Sequence, residues 1–264
     1  MRAIWAIAST TRDEAVRRRV LLVMLLIAVL FLAIAPGLNV LSARQETTVL
    51  KELTLGIIQI SSAVIAIVLT VYMIPNEIER RTIYTILSKP VQRWQFLIGK
   101  YLGAVMALGL FMAVMTAVLL IMYATQQEGV NAEQLAGLVK APVLYFIQMS
   151  LLAAVATFFS TFLSPIVNFF LTGGVFLVGQ LFNPFFESMK SSETVSPIAR
   201  GMASLFHLIL PNFANYNVEN VFINPHAQIR GSETTYMITI TAYGVIYIAI
   251  LLMAGILIFD RREV

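Results

Sequence analysis

An all-α, polytopic membrane fold is what this sequence predicts: six transmembrane helices, an N-terminal interfacial helix, a helical elbow on the cytoplasmic side and an external amphipathic helix before the last span. Three observations predict it. The 264 residues are 59% hydrophobic and 12% charged, with a mean hydropathy of +0.83, well outside the balance of a soluble domain. Apolar runs at 20–40, 53–74, 96–123, 142–163, 166–182 and 236–259 approach or exceed the roughly 20 helical residues that cross a hydrocarbon core. Laying the 18 Lys and Arg on alternate sides of six spans puts twelve on the side that holds both termini and six on the other, so the positive-inside rule makes both termini cytoplasmic.

The leader, residues 1–19, is basic and groups Ile4, Trp5, Ile7 and Ala8 near its start. Two readings stand: a helix lying in the interface with Trp5 at headgroup level and Arg17, Arg18 and Arg19 at the phosphates, or a basic leader that only sets topology. Ala33-Ile34-Ala35 has the small-x-small form of a cleavage site, but the nineteen preceding residues include Asp13 and Glu14, which is long for a signal n-region. The first span is expected to be retained. The loops at 41–52 and 124–140 are short and polar, and only Ser164-Pro165 separates the fourth and fifth runs, which must therefore pack as an antiparallel hairpin. The fifth run is short and the third long for a bilayer.

The stretch 183–235 forms the longest loop, on the outer side. Ser196-Pro197 is a helix start, a capping hydroxyl followed by proline at the first helical position. Ile198, Met202, Leu205 and Ile209 then share one face, Arg200, Ser204 and His207 another, and Pro211 ends the helix. An asparagine-rich irregular return follows. The helix is expected either to lie in the interface or to dip back between spans as a lid, and the loop reads either as lipid-facing packing or as a docking surface for an extracytoplasmic protein.

What the spans lack narrows the function. The six runs hold no Asp, Glu, Arg or His, and their single lysine, Lys100, lies near a boundary from which it can snorkel. Ion-coupled transport and intramembrane hydrolysis both need placed ionisable groups, so both are disfavoured. No phosphate-binding loop occurs; "IGKYLG" lacks the leading glycine and the hydroxyl. With no cysteine, thiolate metal sites and cysteine nucleophiles are excluded, and Met106, Met112, Met115, Met122, His207 and His226 form no compact ligand cluster, so no metal site is expected. The chain is not expected to be an enzyme or to hold a cofactor, and nothing in it suggests a nucleic-acid partner. The uncharged polar residues Gln59, Ser62, Gln148, Asn168 and Gln180 line a pathway or hydrogen-bond helices together. Gly99-x-x-x-Gly103 and Gly173-Gly174 permit close helix approach, within the bundle or at a dimer seam.

Between the second and third runs, "NEIERRTIYTILSKPVQRWQFLIGK" carries seven charged residues. Asn76 caps a short helix, Glu79 reaches back to the cap, and Glu77 and Glu79 favour its positive first turn. Ile83, Ile86 and Leu87 share a face while Arg80, Arg81 and Thr82 point elsewhere. Pro90 forces a corner, and a new helix begins with Trp94 at headgroup level. The result is a rigid elbow with an apolar ridge flanked by charge, the kind of surface a groove-bearing partner contacts.

The pattern E-x-E-x-x-T-x(5)-S-x-P-x-x-R-x(5)-GK, formed by Glu77, Glu79, Thr82, Ser88, Pro90, Arg93, Gly99 and Lys100, resembles the permease subunits of type-2, or type V, ABC exporters. The likeness is greatest to the six-span stand-alone permeases of sodium-efflux, gliding-motility and copper-processing (nitrous oxide reductase maturation) systems. The leader "IASTTRDEAVRRR" and the segment "ILPNFANYN" fit that group too. The resemblance implies a single permease domain over 1–264, with the leader as an interfacial elbow helix and 76–95 as the coupling elbow. It also implies an assembly of two permease chains, as a homodimer in the cell (inner) membrane, each offering its elbow to a cytoplasmic ABC ATPase that binds the ATP and Mg. The coupling role falls on Glu77, Glu79, Arg80, Arg81, Thr82, Ile83, Leu87, Pro90 and Arg93. The alternative is an ATPase-coupled membrane anchor or mechanotransducer that uses the same elbow to act on an extracytoplasmic partner through 183–235.

Overall fold

A computed structural model describes residues 2–17, 19–34, 46–79, 91–126, 132–181, 210–217 and 233–261. Among them every regular element is a helix: α1 (Arg2–Arg17), α2 (Arg19–Ile34), α3 (Glu46–Val71), α4 (Pro75–Glu79), α5 (Arg93–Gln126), α6 (Ala132–Ser160), α7 (Pro165–Gln180), a single 3-10 turn (Ala214–Tyr216) and α8 (Glu233–Arg261). The outer helix expected at 197–210 lies outside the described residues except for Leu210.

Four stretches are long and apolar enough to cross a bilayer: Lys51–Glu77, Arg93–Thr125, Gly137–Ser160 and Thr234–Arg261. Apolar α2 and α7 have 16 residues each. At 1.5 Å per residue each is about 24 Å long. Two expected loops are shorter than composition suggested. α3 already begins at Glu46 and α6 at Ala132, because "ETTVLKEL" and "AEQLAGLVK" are rich in good helix formers, and leaving hydrocarbon does not end a helix. Pro142, taken as the start of a span, sits inside α6 and is buried. α4 opens on Pro75 after a three-residue turn, with the Asn76 amide donating to Tyr72 O at 3.2 Å, so Asn76 lies within the helix and does not cap it.

The apolar window of α6 is 72% buried and that of α3 61%, against 33% for α5 and 17% for α8, which puts α6 and α3 at the centre with the others around them. Small side chains on α6, Ala153, Ala154 and Ala156, let its neighbours approach closely. The expected pairing of α6 and α7 across Ser164 is present: Asn168 of α7 donates through Nδ2 to Ala156 O of α6 at 3.0 Å. On α7, Asn168, Thr172, Val175 and Gly179 form the buried stripe, while Ile166, Phe170 and Leu177 face outward.

The leader is a helix packed along the start of α5. A Cβ on Gly99 would lie 2.8 Å from Ile7 Cβ, and one on Gly103 would lie 2.6 Å from Ala8 O. Only glycine admits α1 at that distance, so the Gly99/Gly103 pair is used inside the chain.

Candidate functional site

Of the stretch expected to form the elbow, α4 and the first turn of α5 are described, and each is pinned by a side chain. Glu77 reaches across from α4, and its Oε1 accepts from Lys100 Nζ at 2.7 Å. The two side chains are only 18% and 8% exposed, and Lys100 Nζ also lies 5.8 Å from the Phe96 ring centroid. Sequence reasoning gave Lys100 a snorkelling role; the structure instead pairs it with a carboxylate 23 positions earlier. The physical reason is the desolvation of an ammonium at a packed helix junction, which a partner at hydrogen-bond distance offsets. On the other root, Arg93 Nη1 donates to Phe259 O at 3.1 Å and Asp260 O at 3.2 Å, satisfying carbonyls that the last turn of α8 leaves without helical partners. Trp94 donates its indole N–H to Gln92 Oε1.

Between the pins lies a small apolar core of its own, Ile74, Phe96, Leu97 and Phe259, with Ile7 of α1 and Ile256 of α8 packed against it. The rings of Phe96 and Phe259 stack with centroids 6.3 Å apart. Three helices, α1, α5 and α8, thus meet the turn that leads into α4. Of the residues expected to couple, Glu77 and Arg93 are at this junction. Glu79 belongs to α4, and nothing is described of its side chain. Arg80, Arg81, Thr82, Ile83, Leu87 and Pro90 lie outside the described residues.

A second polar system lies deeper. Gln59 Nε2 of α3 donates to Gln148 Oε1 of α6 at 3.1 Å, and Gln148 Nε2 donates to Phe213 O at 3.1 Å. Asn168 also accepts from Thr172 Oγ1 at 2.9 Å. Ser62 is fully buried, and among the described residues its Oγ has no hydrogen-bond partner; the same holds for Gln180 Nε2. Ser61, Thr70, Ser150 and Thr157 bond back to carbonyls of their own helices. Of the five pathway candidates, Gln59 and Gln148 are therefore brought together, Asn168 joins α7 to α6, and Ser62 and Gln180 stand apart from these bonds.

Sequence reasoning missed what Gln148 holds. Residues 210–217, read as the end of the outer helix and the start of an irregular return, are built into the bundle. Phe213 and Tyr216 are fully buried. Tyr216 Oη donates to Ile240 O at 3.1 Å, Tyr236 Oη donates to Asn215 O at 2.8 Å, and the Asn212 amide donates to Tyr243 Oη at 3.2 Å. Two span glycines make room: a Cβ on Gly179 would lie 2.4 Å from Phe213 Cδ2, and one on Gly244 would lie 2.5 Å from Tyr216 Oη. The available signal was the pair of aromatics in "PNFANY", unusual in a solvated return.

The family model for ABC-2 family transporter proteins matches residues 5–264. The chain belongs to the ABC-2 transporter family. No curated protein matches it. As an ABC-2 transporter protein the chain is a multi-pass membrane protein, the permease subunit of an ABC transporter, and its family implies an ATPase partner.

Proposed function

We propose that this ABC-2 permease is the membrane half of an exporter: two copies pair, and each presents residues 76–95 as a coupling elbow to a cytoplasmic ATPase that binds ATP and Mg. The chain itself hydrolyses nothing and needs no cofactor. In this reading α2 and α7 are short spans completing six, the bilayer adapts to their length, and both termini face the cytoplasm of a cell (inner) membrane. Gln59, Ser62, Gln148, Asn168 and Gln180 belong to the pathway that ATP binding and hydrolysis switch from one side to the other.

The observation that carries the proposal is the double pinning of the elbow's roots. A loop that only joined two spans would need no buried ion pair and no arginine holding the end of α8. A lever does, because force applied at its tip moves the spans only if its base cannot slip. Glu77 with Lys100 makes α4 and α5 move together, and Arg93 brings α8 with them.

Leu87→Glu tests it. The variant is expected to fold and insert as the unsubstituted chain does, and to lose at least about tenfold in ATPase affinity, since a carboxylate would be buried unpaired in the partner's groove. Copurification of the ATPase from membranes, with and without the substitution, reads this directly. Undiminished copurification would remove the elbow from the contact.

A further inference from the structure

We infer that the cleft between the first turn of α5 and the last turn of α8 seats one phospholipid with a primary ammonium headgroup, a phosphatidylethanolamine, in the leaflet on the elbow side. The inference goes beyond the permease reading: it needs a multi-pass membrane protein and no ATPase.

The cleft has a volume of about 590 Å³, within the range of small-molecule sites. Among the described residues it is lined by Val91, Gln92, Arg93, Trp94, Ile256 and Asp260. Both spans that form it reach a charged end here, Arg93–Thr125 at its first residue and Thr234–Arg261 at its last. That junction of apolar helix with charge marks headgroup depth, where an exposed tryptophan such as Trp94 settles. The walls do not depend on a ligand. Arg93 already fastens them, donating through Nη1 to Phe259 O and Asp260 O.

Charge then selects the headgroup. Asp260 and Arg261 are exposed, and neither side chain has a partner among the described residues. They offer a carboxylate and a guanidinium at adjacent positions of one helical turn. An ethanolamine headgroup carries the complementary pair, an ammonium two carbons from a phosphodiester, and both contacts are charge-assisted hydrogen bonds. A purely anionic headgroup would bring its charge against Asp260. A choline headgroup has no N–H to give a carboxylate, and the single indole of Trp94 is not the aromatic cage that a quaternary ammonium takes.

The acyl chains have a track. On α8, Ile246, Ile250, Met253 and Leu257 are exposed along one stripe of the helix, and Arg261 follows one turn later on the same stripe. Apolar side chains facing lipid are ordinary; a stripe that runs into a polar cleft with fixed walls defines a place for one molecule. Half-buried Ile256 lies at the edge of that stripe and lines the cleft, so headgroup and chains are held continuously.

The sequence has two tryptophans, so Trp5→Phe leaves Trp94 as the sole reporter. The full chain carrying that substitution is reconstituted in phosphatidylcholine vesicles, and a minor fraction of the lipid is replaced by one brominated near the carbonyl end of its acyl chains. Brominated phosphatidylethanolamine should quench Trp94 about threefold more effectively than brominated phosphatidylcholine at the same fraction, the scale of one exposed ion pair. Asp260→Asn should bring the two lipids together. The headgroup series tests the same point without that variant: phosphatidylcholine and phosphatidylglycerol should both fall below phosphatidylethanolamine. Equal quenching by all three would reduce the cleft to ordinary lipid contact and overturn the inference. So would strongest quenching by phosphatidylglycerol, an undiminished ethanolamine preference in folded Asp260→Asn, or displacement of the lipid by free phosphoethanolamine, which would give the cleft to a soluble ligand.

Discussion

Glu77→Leu should destabilise the protein by about 3–5 kcal/mol, whereas Glu77→Leu combined with Lys100→Met should recover most of that loss. Lys100 is only 6% exposed, and its ammonium has Glu77 Oε1 at 2.7 Å. Removing the carboxylate leaves the cation in a packed junction beside Phe96 with its desolvation uncompensated. Replacing both by apolar groups of similar size removes the charge and the penalty together. Thermal or denaturant unfolding of the purified permease measures both variants. Transport separates stability from coupling: the double variant should unfold close to the unsubstituted protein yet turn over ATP with less transport per ATP, since the pin between α4 and α5 is gone. A single variant within about 0.5 kcal/mol of the unsubstituted protein would mean the pair carries no structural weight.

Gly103→Leu should separate α1 from α5. A Cβ there would stand 2.6 Å from Ala8 O and 2.5 Å from Thr11 Cβ, and no rotamer relieves a clash with a backbone oxygen. Overpacking of this kind costs about 1–3 kcal/mol when the neighbour can shift, and here the neighbour is a whole helix. Faster proteolysis between α1 and α2 and a lowered unfolding temperature are the expected readings. Gly56→Leu is the control: no atom lies within 4 Å of its Cβ position, so the change should be within about 0.5 kcal/mol of neutral. If both substitutions behaved alike, the seat of α1 would not be where Gly99 and Gly103 place it.

The all-helical membrane fold was legible because hydrocarbon imposes a simple rule, long apolar helices, and four stretches obey it outright. The α6–α7 pairing was legible from Ser164-Pro165 because so short a link leaves one geometry. The ends of α3 and α6 were not, since "ETTVLKEL" and "AEQLAGLVK" are polar enough to resemble loops and helical enough to extend spans. The site was harder. That Glu77 and Lys100 meet depends on how two antiparallel helices settle against each other, which local pattern does not encode. Arg93 matched the coupling pattern, but its grip on the end of α8 joins residues 166 apart. For residues 210–217 the asparagines argued for solvent, and the burial of Phe213 and Tyr216 is decided by distant glycines, Gly179 and Gly244, that make room for them.

The central claim is that the elbow is a lever held by a nucleotide-driven partner. Because the chain has no cysteine, Leu87→Cys gives a single attachment point for a short thiol crosslinker in intact cells. The account predicts a covalent adduct with the cytoplasmic ATPase at position 87 and none for Ala124→Cys at the other end of α5. Labelling of position 87 by an impermeant reagent from outside the cell, with no ATPase adduct, would contradict it.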